Sequence, residues 1–174
     1  MRLPVVAAAA IAGLGLSCGS SEASRLALPT TDNPYCAITT YKVGDLPQQG
    51  LSALDSNGKP VIAINALALT QTPDYGRFLM AHECCHHSLG HVQRYHDAFG
   101  HLGLQPFYYI APGLRQMELD ADCCAVKMLK ERHDTESIVA AHDMMQSYGG
   151  APTGAYYPTG TERADHISKC ETED

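Results

Sequence analysis

The sequence predicts a small α+β domain in which strands come first and helices follow. Two patterns carry this reading. Runs at residues 35–43 and 60–69 read as strands, and apolar residues recur at helical spacing from residue 72 onward. The size fits as well: 174 residues with 45% hydrophobic content are enough for one domain with a single core.

The chain begins with a segment that reads as a signal peptide over residues 1–23, leaving residues 24–174 as the domain. Arg2 supplies a positive start, and Leu3 to Leu16 is an unbroken run of apolar and small residues. Ser21-Glu22-Ala23 puts small residues where a signal peptidase cuts. The run is short for a membrane span. Cys18 follows it directly, so a lipid anchor is the alternative, although Gly15 stands where such a site prefers leucine. Either way the chain is expected to be exported, periplasmic or secreted, with Cys18 as its one route to a membrane.

Ser24 to Pro34 reads as an extended lead-in, Tyr35 to Val43 as a strand, and Gly44 to Lys59 as loop or hairpin. Pro60 to Leu69 (PVIAINALAL) is a second strand candidate. Thr72 as N-cap and Pro73 at the first helical position open a helix expected to reach His96, with Gly100 to Gly103 breaking the chain after it. Its inner face is Tyr75, Phe78, Leu79, His82, His86 and Leu89. Pro112-Gly113 opens another helix to about Arg132, with Leu114, Met117, Ala121, Ala125 and Met128 as its stripe. A third runs from Thr135 to Tyr148 and stops at Gly149-Gly150; a Pro/Gly/Tyr loop and a short helix, Thr161 to Lys169, complete the domain.

A net charge of -7 argues against a nucleic-acid partner, which leaves a basic footprint. Six cysteines follow the signal: Cys36, Cys84, Cys85, Cys123, Cys124 and Cys170. In an exported chain they predict disulfides. Neighbouring Cα atoms are about 3.8 Å apart, and a disulfide spans about 4.4–6.8 Å, so the adjacent pairs do not close on themselves. At least one bridge is expected between the Cys84/Cys85 pair and the Cys123/Cys124 pair, with Cys36 to Cys170 clasping the two ends.

The chemistry centres on His82-Glu83-Cys84-Cys85-His86. Histidines four apart on a helix project from one face, so both imidazoles reach one metal ion, while Glu83 sits at the edge of that face beside it. Catalytic zinc takes three protein ligands and leaves a position for water. Glu118 and Asp122 share a face of the next helix. Glu118 would complete the ligand set, and Asp122 would fix the tautomer of a ligating histidine. The plain alternative is that these acids form a solvated face.

These residues resemble the gluzincin metallopeptidases: His82-Glu83-x-x-His86 followed by Glu118-x-x-Ala121-Asp122. The pattern is particularly similar to the family of the CAAX prenyl endopeptidase and the HtpX-type heat-shock peptidases, and Ala81 and Leu89-Gly90-His91 also fit that helix. The resemblance covers about residues 60–170 and lacks the family's transmembrane helices, which would make this a soluble minimal relative. It implies one zinc ion on His82, His86 and Glu118, with Asp122 partnering His82. Tyr157-Pro158 through Arg163 resembles the family's His-Pro-x-x-x-x-Arg segment, with Tyr157 in place of the histidine. A tyrosine hydroxyl there would donate to an oxyanion; the alternative is that Tyr157 packs and Arg163 pairs structurally.

The activity expected is zinc-dependent hydrolysis of a protein or peptide, with Glu83 as the base and the substrate extended along Val61 to Leu69. A non-catalytic periplasmic metal-binding protein using the same ligands is the main rival. A thiol-disulfide protein is disfavoured because no Cys-x-x-Cys is present. Leu89 and Val92 stand where the metzincin pattern needs Gly and His. His91 falls about half a turn off the ligand face, and His87, His96, His101, His133, His142 and His166 have no spacing that calls for a metal.

Overall fold

A computed structural model describes residues 28–46, 48–99, 111–154 and 156–173. The signal segment, Cys18 and the Gly100 to Gly103 break lie outside the described residues. Four strands come first: β1 (Thr30–Thr31), β2 (Thr39–Val43), β3 (Gly50–Leu54) and β4 (Pro60–Asn65). Six helices follow: α1 (Ala66–Gln71), α2 (Pro73–Ser88), α3 (His91–Phe99), α4 (Ala111–Lys130), α5 (Thr135–Tyr148) and α6 (Gly160–Thr172). The domain is α+β, as the sequence predicts.

The sheet order is β1-β2-β4-β3. β4 is interior, parallel to β2 on one side and antiparallel to β3 on the other. Its Ile62 and Ile64 alternate onto the buried face and are fully covered. Peptide binding by strand addition along Val61 to Leu69 is therefore ruled out, because both edges of β4 already carry neighbours. Among the described residues, the edge strands are β1 and β3, and β3 is the one that borders β4 on the cavity side.

Three local departures have simple causes. PVIAINALAL does not stay extended: the Asn65 side chain accepts from Leu67 N at 2.9 Å, capping α1 and turning the chain at residue 66. Thr72 precedes α2 but makes no side-chain cap; its hydroxyl donates instead to Ala68 O at 3.2 Å. The helix expected to reach His96 breaks after Ser88, where Gly90 takes φ +70°, a conformation costly for any residue with a Cβ. α3 then restarts in a new direction.

α2 is the spine. Phe78, Ala81, Cys84 and Cys85 are buried against Ala121, Ala125, Val126 and Leu129 of α4, Ile138, Ala141 and Met145 of α5, and the sheet. α6 packs on α4 and α5 through Ala164, Ile167 and Cys170, and starts with a capping box between Thr159 and Glu162. The disulfides are Cys36–Cys84, Cys85–Cys124 and Cys123–Cys170. The bridge between the two adjacent pairs forms as expected, but the Cys36–Cys170 clasp does not. Cys36 lies beside α2 and Cys170 beside α4, so each terminal cysteine closes on the nearer helix. Three disulfides are the mark of an oxidising environment. Among the described residues, no helix is long and apolar enough to cross a membrane.

Candidate metal centre

His82 and His86 lie one turn apart on α2 with ring centroids 4.7 Å apart, and their Nε2 atoms approach to 3.0 Å. From α4, Glu118 brings Oε2 to 3.4 Å from His82 Nε2 and Oε1 to 3.3 Å from His86 Nε2. Ligands about 2.0–2.1 Å from a tetrahedral zinc ion stand roughly 3.3–3.4 Å from one another. The three side chains are therefore grouped closely enough to hold one metal ion. His82 and Glu118 are buried, and His86 is partly open toward a cavity of about 1000 Å³.

Asp122 of α4 is fully buried and places Oδ1 2.9 Å from His82 Nδ1. Arg163 of α6 donates to both its oxygens, Nη2 to Oδ1 at 2.6 Å and Nε to Oδ2 at 2.8 Å. Arg163 Nη1 also lies 3.5 Å from Glu118 Oε2. Burial pushes the Asp122 carboxyl up, but Arg163 outweighs it and holds the group below its ordinary value. Burial likewise opposes charge on Glu118, yet His82 and His86 bring it well below the usual carboxylate range. For His82, burial lowers the imidazole pKa, while carboxylates at both nitrogens win and raise it. The electrostatics of this pocket favour a cation at Nε2.

His86 has a partner that sequence reasoning placed off the ligand face. His91, only 2% exposed, sets its Nδ1 3.1 Å from His86 Nδ1. Burial, then the neighbouring His86 and Arg94, lowers His91 to about 4, so its ring is neutral at physiological pH. In the tautomer in which His86 Nδ1 donates to neutral His91 Nδ1, the His86 Nε2 lone pair is left free to bind a metal. The break at Gly90 makes this possible by swinging His91 back beneath α2. The glycine is the signal in the sequence that could have revealed it.

Glu83 is buried and lines the same cavity but stands outside the ligand trio. The Ser52 hydroxyl of β3 lies 2.6 Å from Glu83 Oε2 and 2.8 Å from Glu83 O. A Cβ at Gly50 would collide with the Glu83 carboxylate, so the absence of a side chain there makes room for it. Neither Gly50 nor Ser52 is singled out by the sequence, because each acts across the sheet.

Tyr157 lines the cavity from the loop before α6. Burial, with Glu118 and Glu83 nearby, raises its phenol to about 12, so it is a hydrogen-bond donor at neutral pH. Away from this cavity, Cys123, His166 and Cys170 form a second group with metal-ligand spacing, although nothing in the sequence drew attention to His166. Compared with known proteins, the chain has no matching family model, curated protein or solved structure.

Proposed function

We propose that this chain is an exported zinc-dependent peptidase, of the kind its resemblance to the gluzincins implies. The observation that carries the reading is a largely buried triangle of two imidazoles and a carboxylate, open to the cavity at His86, beside a further carboxylate, Glu83, that the triangle leaves over. Two nitrogens and one oxygen are the donor set of hydrolytic zinc, with the fourth position left to solvent. Zinc held there supplies Lewis acidity toward a water and a carbonyl oxygen.

The residues of the chain do the remainder. Glu83, oriented by Ser52, takes the proton from the attacking water and passes it to the leaving amine. Tyr157 donates its phenol proton to the oxyanion as it develops. Arg163 and Asp122 hold His82 in register, and His91 does the same for His86. β3, whose residues Gly50 to Leu54 line the cavity and whose outer edge is free among the described residues, offers backbone groups to an extended peptide.

The experiment is metal analysis with a digestion assay on an unfolded protein, with and without a chelator. Glu83→Gln is expected to keep its zinc and lose roughly a hundredfold to ten-thousandfold in rate. Retained hydrolysis in that variant would remove Glu83 as the base. Zinc without hydrolysis in the unaltered protein supports the metal-carrier reading instead, and a protein that takes no zinc defeats both.

A further inference from the structure

On the far side of α4 from the cavity, a second constellation joins two helices. His166 and Cys170 are four residues apart on α6 and share one face, while Cys123 comes from α4. One ligand atom from each lies within 4.8 Å of the other two. His166 Nε2 is 3.1 Å from Cys123 Sγ. Cys123 and His166 are half-buried, so an ion can reach them, and Cys170 is 3% exposed.

The Cys123–Cys170 disulfide accounts for the two sulfurs but not for the imidazole aimed at one of them. A disulfide sulfur is a poor ligand and a weak acceptor; a thiolate is a strong soft ligand, and thiolate with imidazole is a donor set that zinc favours. We propose that Cys123, His166 and Cys170 form a second metal site for one Zn²⁺, open when the Cys123–Cys170 bond is reduced and closed when it is oxidised.

The chemistry balances with a dithiol as reductant. The dithiol gives up two electrons and two protons and closes its own S–S bond, while the Cys123–Cys170 S–S bond breaks into two thiols. Zinc then binds as both thiols release their protons to solvent, and His166 contributes the lone pair of neutral Nε2. Two thiolates cancel the charge of the ion, and water takes the fourth position. Disulfide and zinc exclude each other, yet either one ties α4 to α6. The crosslink that steadies Asp122 and Arg163, on the same two helices, therefore persists in both redox states.

Two measurements on the full chain test this. Co²⁺ bound by thiolate gives a near-ultraviolet charge-transfer band, which a centre of two histidines and a glutamate does not. The band is expected in protein reduced with limiting phosphine until Cys123–Cys170 opens, its fold checked by circular dichroism, and absent from oxidised protein. His166→Ala should weaken Co²⁺ binding at the sulfur site by roughly tenfold or more, and the Cys123→Ser/Cys170→Ser double variant should lose the band. No band in the reduced protein, an undiminished band in the double variant, or unchanged affinity in His166→Ala would each overturn the proposal. The second measurement needs no variant. In reduced wild-type protein, Zn²⁺ should slow alkylation of Cys123 and Cys170 by roughly tenfold while leaving Cys36, Cys84, Cys85 and Cys124 unaffected. Equal protection of all six, or of none, is the contrary result.

Discussion

The Glu83 carboxylate is placed by two residues of β3 that touch it, Ser52 by its hydroxyl and Gly50 by having no side chain. A hydrogen bond to a charged group contributes about 1.5–3 kcal/mol, and about 1.4 kcal/mol corresponds to tenfold in rate. Ser52→Ala is therefore expected to lower kcat by roughly tenfold or more, with zinc content unchanged. Steady-state kinetics beside metal analysis would check this, and loss of zinc in that variant would show that Ser52 serves the fold instead. His91 acts on the other ligand. Replacing it with Phe removes the acceptor at His86 Nδ1, so zinc affinity should drop roughly 10–100-fold. Gln at residue 91, which restores a carbonyl acceptor, should recover part of it. Competition against a chromophoric chelator reads both. An unchanged affinity in the Phe variant would mean that the 3.1 Å contact does not orient the ligand.

At the scale of elements, one acidic side chain adds a polar link to the apolar packing of α5 on α2. Asp134 caps α5, accepting from Ser137 N at 3.2 Å, and also receives Arg77 of α2 through Nε at 2.7 Å. Burial pushes this carboxyl up, but the bonds from Arg77 and Ser137 win and lower it. A folded-state pKa below the unfolded value means stability that is present above about pH 4 and lost as pH falls through the folded pKa. Asp134→Ala should cost about 1–2 kcal/mol at pH 7, most of it the cap, since the Arg77 side chain is 39% exposed and its pairing is screened. Urea melts should show the gap from wild type narrowing in acid; a gap independent of pH would assign the loss to packing. The same scale explains what the sequence disclosed. α5 appears with its predicted ends because caps, periodicity and terminal glycines agree from Asp134 to Gly149. The pentad and the Glu118/Asp122 pair were legible because ligand spacing is helical and local. β3 was legible only as one arm of a possible hairpin, and the break at Gly90 and the partnerships of Ser52, His91 and His166 were not. Each depends on a neighbour distant in sequence or on a reversal of chain direction, and local spacing carries neither.

For the whole molecule, the two adjacent cysteine pairs work as a relay. Consecutive residues on a helix point about 100° apart, so each pair addresses two neighbours at once. On α2, Cys84 reaches back to Cys36 near the sheet and Cys85 reaches α4; on α4, Cys124 returns that bond and Cys123 goes on to α6. The bridges therefore run in series from the N-terminal segment through both ligand-bearing helices to the helix that carries Arg163. Each spans 39 to 48 residues, for which chain entropy alone gives about 4 kcal/mol. That is a large share of the roughly 5–15 kcal/mol that holds a domain of this size. The middle bridge should matter most to the metal centre, because only it joins the helix of His82 and His86 directly to the helix of Glu118. Cys85→Ser/Cys124→Ser should lower stability by about 2–5 kcal/mol and weaken zinc binding too. Cys36→Ser/Cys84→Ser should cost similar stability while sparing the metal, since its bridge joins the ligand helix to a segment that contributes no donor. Denaturant melts paired with zinc titration separate the two effects. If both double variants lose zinc affinity in proportion to stability, the bridges act on the fold as a whole and the relay has no special bearing on the metal centre.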